Sequence, residues 1–125
     1  MRTFTLLIAS WVPVALYASL IFVLSSFSNP PLIPEWDVPN IDKLYHVLEY
    51  AVLAFLLIRA LGLTFPAHPM PRLIIWGVVL TALYGLIDEL HQAFTPGRSM
   101  SVYDALADAV GACAVGFVWS RKPHH

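Results

Sequence analysis

The sequence predicts an all-α, polytopic membrane protein, one domain over residues 1–125, with four transmembrane helices in a compact bundle and both termini cytoplasmic. Three observations predict it. The chain is 58% hydrophobic and only 12% charged, about half the charge with which a soluble domain coats its surface. Its mean hydropathy is +0.71. Its apolar residues fall into four runs, each near the ~20 helical residues that span a hydrocarbon core. The net charge of −1 gives no electrostatic footprint for a nucleic-acid partner. The single cysteine, Cys113, forbids an internal disulfide, and its apolar setting reads as a small buried hydrophobe.

The first helix is predicted over about residues 4–27, because no charge occurs between Arg2 and Glu35. Pro13 lies inside it, which a membrane helix tolerates where its neighbours satisfy the freed carbonyl. The rival reading is a signal peptide cleaved near Ser26-Phe27-Ser28, but the apolar run is longer than a signal core of roughly 7–15 residues. Pro30, Pro31, Pro34 and Pro39 then forbid a continuous helix.

Asn40 offers an N-cap, and Asp42 sits in the first turn where a carboxylate suits the helix dipole. The second helix follows over about 41–63, ended by Gly62 and by Pro66, Pro69 and Pro71. The third runs over about 72–94, up to Pro96-Gly97. Ser101, with Asp104 three residues on, starts the fourth in the manner of a capping box, over about 101–119. Its small residues Ala107, Gly111 and Ala114 lie near one face and admit a neighbouring backbone. With the N-terminus inside, Arg2, Arg59, Arg72, Arg121 and Lys122 are cytoplasmic and only Lys43 and Arg98 are outside, the asymmetry of the positive-inside rule.

That topology gathers the polar residues at the outer ends of three helices. Residues three and four apart share a helix face. Asp42, His46, Glu49 and Tyr50 therefore form one stripe, with Lys43 beside it. Asp88, His91 and Gln92 form a second, with Glu89 adjacent, and Asp104, Asp108 and Gly111 a third. At a rise of about 1.5 Å per residue, Asp88 falls ~8 Å below the outer boundary and Asp108 near the midplane. An acid at the centre of a membrane helix costs about 2.5–3.5 kcal/mol. Six acids against Lys43 and Arg98 leave a negative excess that protons, a cation or water must offset.

Plain structural readings stand beside the functional ones. Asp42 and Asp104 cap helices, Lys43 snorkels, Tyr50 is an interface aromatic and His91 faces solvent. Asp88, Glu89, Glu49 and Asp108 resist such readings, because intramembrane acids point to function. His46, Glu49, Asp88 and Glu89 are the candidate ligands for a divalent metal. Arg98 is the candidate grip on a phosphate or carboxylate, with pairing to Asp88, Glu89 or Asp104 as its alternative role.

Three motifs carry a resemblance: Asp42-Lys43-x-x-His46 with Tyr50, then Asp88-Glu89-x-x-Gln92-x-Phe94-x-Pro96-Gly97-Arg98, then Asp104 followed by Asp108 and Gly111. In this order the chain resembles the VanZ-like family of small bacterial membrane proteins. It departs from the family at Asp108, where asparagine is usual. The resemblance implies a multi-pass protein of the bacterial cytoplasmic membrane, associated with resistance to glycopeptide antibiotics such as teicoplanin. The expected function is binding of a polar or anionic head group, whether of a lipid, a cell-wall precursor or a glycopeptide, in the outer-leaflet cluster. The alternative is a membrane-embedded, metal-assisted enzyme acting on such a head group. Binding is preferred because neither Ser99 nor Ser101 is marked as an activated nucleophile. A proton-coupled transporter is the third reading, and four helices would then require a homo-oligomer.

Overall fold

The computed structural model describes residues 1–26, 41–97 and 99–123. Four helices lie among them: α1 (Arg2–Ser25), α2 (Ile41–Thr64), α3 (Met70–Gln92) and α4 (Val102–Ser120). No strand occurs among the described residues. Each helix is long and apolar enough to cross a membrane, so the protein is an all-α, multi-pass membrane protein. The expected end of the first helix at residue 27, the proline-rich segment, the Asn40 cap, Arg98, His124 and His125 lie outside the described residues.

The helix ends follow local chemistry. The third helix begins two residues before the expected Arg72, because Pro69 itself takes the N-cap with extended backbone. Pro71 then falls in the first turn, where its missing N–H removes no helical bond. The same helix stops at Gln92 rather than 94. Ala93, Phe94 and Thr95 close tight turns back onto it, and Gly97 takes a left-handed φ of 78° that glycine adopts without strain. Ser101 caps α4 as its spacing predicts, its hydroxyl accepting the Asp104 N–H at 3.3 Å.

α2 is the central helix. It packs on α1, α3 and α4, whereas α1 rests on α2 and, lightly, on α3. Three side chains tie α1 in place. The Trp11 indole N–H donates to Thr64 Oγ1 at 2.7 Å, the Tyr17 hydroxyl to the Glu49 carbonyl at 2.9 Å, and the Tyr84 hydroxyl to the Ala18 carbonyl at 2.5 Å. Between them lies an apolar core of Ile21, Tyr50, Leu53 and Leu57. Bulky residues such as Leu16, Ile75, Leu83 and Phe117 point outward, as an apolar surrounding allows.

α4 approaches its neighbours through small residues. A methyl group on Gly111 would collide with the carbonyl oxygen of Val47 on α2, so the two backbones are in direct contact there. Two expectations need correction. Ala114 is exposed, the small-residue face being carried by Ala107, Gly111, Ala112 and Gly116 instead. Cys113 is exposed on the outer side of α4 rather than buried. In a bundle surrounded by lipid, an apolar residue has no reason to prefer the interior.

Candidate functional site

The polar residues meet between the first turns of α2 and α4 and the last turns of α3. His46 and Tyr50 lie one helical turn apart and both face inward from α2. Asp88, Glu89 and Gln92 are buried on α3, and Asp104 and Asp108 on α4. Glu89 and Asp108 are both fully enclosed, at 0% exposure.

The pairing is specific. His46 Nδ1 lies 2.7 Å from Asp108 Oδ1, and its Nε2 lies 3.6 Å from Asp104 Oδ2. The Tyr50 hydroxyl donates to Asp88 Oδ2 at 2.8 Å. The Ser101 backbone N–H donates to Glu89 Oε2 at 3.0 Å, so the loop before α4 is pinned to the end of α3. Lys43 bridges two acids at the rim, 2.6 Å from Asp42 and 2.5 Å from Asp104.

These bonds leave four buried oxygens without a hydrogen-bond partner among the described residues: Asp88 Oδ1, Glu89 Oε1, Gln92 Oε1 and Asp108 Oδ2. All four are acceptors. An unpaired buried polar atom costs about 1–3 kcal/mol, and the local donors from Tyr50, Ser101 and Lys43 are already engaged. Among the described residues the cluster is thus short of donors and of positive charge. His46, Glu89 and Asp108 each present one ligand atom within 4.8 Å of the other two, a grouping able to surround a small cation.

Several sequence expectations change here. The candidate ligands His46, Glu49, Asp88 and Glu89 do not form one group. His46 and Glu89 gather with Asp108, while Asp88 bonds Tyr50, and Glu49 is half-buried with its backbone carbonyl turned to Tyr17. Asp42 is exposed and held at the surface by Lys43. Tyr50 is no interface aromatic, being wholly buried. On α3, Glu89 rather than His91 completes the inward face. His91 stacks on Phe22 of α1 at 4.5 Å, with its Nε2 3.0 Å from Ser26 Oγ.

Two further residues shape the cluster. The Ser101 backbone orients Glu89, and nothing in the sequence beyond its capping signal marks that role. Gly85 faces Asp108, and a Cβ there would sit 2.8 Å from Asp108 Oδ2. The missing side chain makes room for the carboxylate. Two apolar grooves on the flank, one lined by Leu61, Phe65 and Trp76 and the other by Phe55, Val118 and Trp119, contain no residue of the cluster.

No match is found among curated proteins, and none among solved structures. A family model does match, described as VanZ/LLP1, over residues 2–121. That span takes in all four helices and every residue of the polar cluster, and the chain belongs to the VanZ/LLP1 family.

Proposed function

We propose that this protein binds a polar head group at its buried polar cluster, at the outer leaflet of the bacterial cytoplasmic membrane, and contributes to antibiotic resistance by doing so. The head group belongs to a lipid, a cell-wall precursor or a glycopeptide. One observation carries the reading: four buried acceptor oxygens on α3 and α4 have no donor among the described residues. A head group rich in hydroxyl and amine donors satisfies such a lining, which favours that chemistry over an anion. The resistance assay tests it directly. In a glycopeptide-sensitive bacterium, the chain is expected to raise the inhibitory concentration of teicoplanin, and Glu89→Gln and Asp88→Asn, matched for membrane expression, are expected to lose that protection. Full protection by the double variant would sink the proposal.

A second reading has its own support. A histidine bonded to a buried aspartate, with Glu89 close by, has the composition of an acid–base or metal-assisted centre. Mass spectrometry of lipid and cell-wall precursors exposed to the purified protein separates the two. An altered mass favours the enzyme, unaltered but retained precursor favours binding.

The outer-leaflet placement requires both termini inside. In a Cys113→Ala background, cysteine at Ser99 is expected to react with an impermeant thiol reagent in intact cells, and cysteine at His68 only after lysis. The opposite pattern would place the cluster on the cytoplasmic side.

A further inference from the structure

We infer that His46, Glu89 and Asp108 form a binding site for one divalent transition-metal ion of the zinc or manganese type. The inference rests on the cluster being a functional site and specifies what it holds.

Three independent features support it. The first is geometry. One ligand atom from each residue lies within 4.8 Å of the others. Ligands about 2.0–2.2 Å from one tetrahedral ion are ~3.3–3.6 Å apart, so closure draws the side chains together by about 1.5 Å at most. The second is enclosure without partners. Glu89 and Asp108 are fully buried, yet Glu89 Oε1 and Asp108 Oδ2 lack hydrogen bonds among the described residues. The third is charge. Two carboxylates and a neutral imidazole carry a formal charge that one divalent ion cancels, in a setting where uncompensated charge is costly. Lys43, the described cation nearest these acids in the pairing scheme, is taken up by Asp42 and Asp104.

The donor set selects the ion class. Imidazole suits zinc better than calcium or magnesium, the two carboxylates suit manganese as well, and neither donor favours a soft, thiolate-seeking ion. The surroundings supply one outer hydrogen bond and one nearby carboxylate, the kind of neighbours that hold ligands in position. Ser101 N–H fixes one oxygen of Glu89, and Asp104 lies beside the second ring nitrogen of His46.

The test uses the full chain, purified in mild detergent and stripped with chelator, with His124 and His125 replaced by alanine so that the adjacent imidazoles do not compete. Titration with zinc or manganese should give one ion per chain and a higher unfolding temperature. X-ray absorption of the zinc form should show one imidazole, oxygen neighbours and no sulfur. Glu89→Gln should weaken affinity by about 10–100-fold or more, while His68→Ala should leave it unchanged. If Glu89→Gln does not fold, the stoichiometry and absorption spectrum of the otherwise unaltered chain decide alone. Absence of one-to-one binding, sulfur in the spectrum, or undiminished affinity in Glu89→Gln would overturn the inference. Loss of teicoplanin protection in Glu89→Gln together with a flat metal titration would remove the ion and keep the head-group site.

Discussion

Gly111→Leu is expected to abolish the folded bundle, and Gly111→Ala to destabilise it by about 1–3 kcal/mol, toward the upper end of the overpacking range. The obstacle to a side chain is backbone: the Val47 carbonyl oxygen first, then its carbon at 3.0 Å and the Ala51 nitrogen at 3.1 Å. All three atoms belong to the interior of α2, which cannot shift locally without breaking its own hydrogen bonds. Relief therefore means moving α4 away from α2, which also separates Asp108 from His46. Gly62→Ala supplies the contrast. There an added methyl meets only the tip of Met70 at 3.4 Å, an ordinary contact, and alanine favours the helix by up to about 1 kcal/mol. Unfolding in mixed micelles with rising SDS measures both variants. Equal stability of Gly111→Ala and the unaltered protein would mean that α2 and α4 are not in backbone contact.

The second large effect concerns Asp108. Asp108→Ala is expected to cost about 1–3 kcal/mol, the range for leaving a buried polar group without its hydrogen-bond partner. It strands His46, which is 8% exposed, with its Nδ1 facing a void. Asp108→Asn should cost much less, because an amide oxygen accepts from the same ring nitrogen at nearly the same place. Asp108→Glu should be worse than asparagine despite keeping the charge. Gly85 leaves the carboxylate enough room and no more, as the 2.8 Å approach of a built Cβ shows. The same SDS titration ranks the three, and a ranking with glutamate best would show that charge, not fit, governs this position.

Much of the architecture was legible because its signals are local. The α2 start, the Ser101 cap and the proline breakers placed the helix ends of α2 and α4 within a residue of 41–63 and 101–119. The inward face of α4 was legible too, since Asp104, Asp108 and Gly111 fall at helical spacing. What local signals could not set was the rotation of each helix about its axis. On α3, Asp88 is flanked by Glu89 and His91, and either could complete a stripe with Gln92. The choice of Glu89 is made by tertiary contacts, with Gly85 against Asp108 and Phe22 drawing His91 toward α1. Cys113 and Ala114 were misplaced for a related reason. Apolarity separates inside from outside in water and does not do so in lipid. The split of the metal candidates has the same origin, because Tyr50 claims Asp88 and leaves Asp108 to complete the group.

The bond from the Ser101 backbone to Glu89 and the pair between Asp108 and His46 also bear on how the chain is made. Synthesis delivers α2 and α3 before α4, so His46 and Glu89 enter the bilayer before either partner exists. An acid at the centre of a membrane helix costs about 2.5–3.5 kcal/mol to insert, and the smaller cost of Glu89 in the last turn of α3 stands until α4 emerges. An intermediate without α4 therefore holds Glu89 without Ser101 and His46 without Asp108, while Tyr50 can already meet Asp88. α4 is the helix that ends this exposure, and the polar cluster is complete only when α4 has joined the bundle.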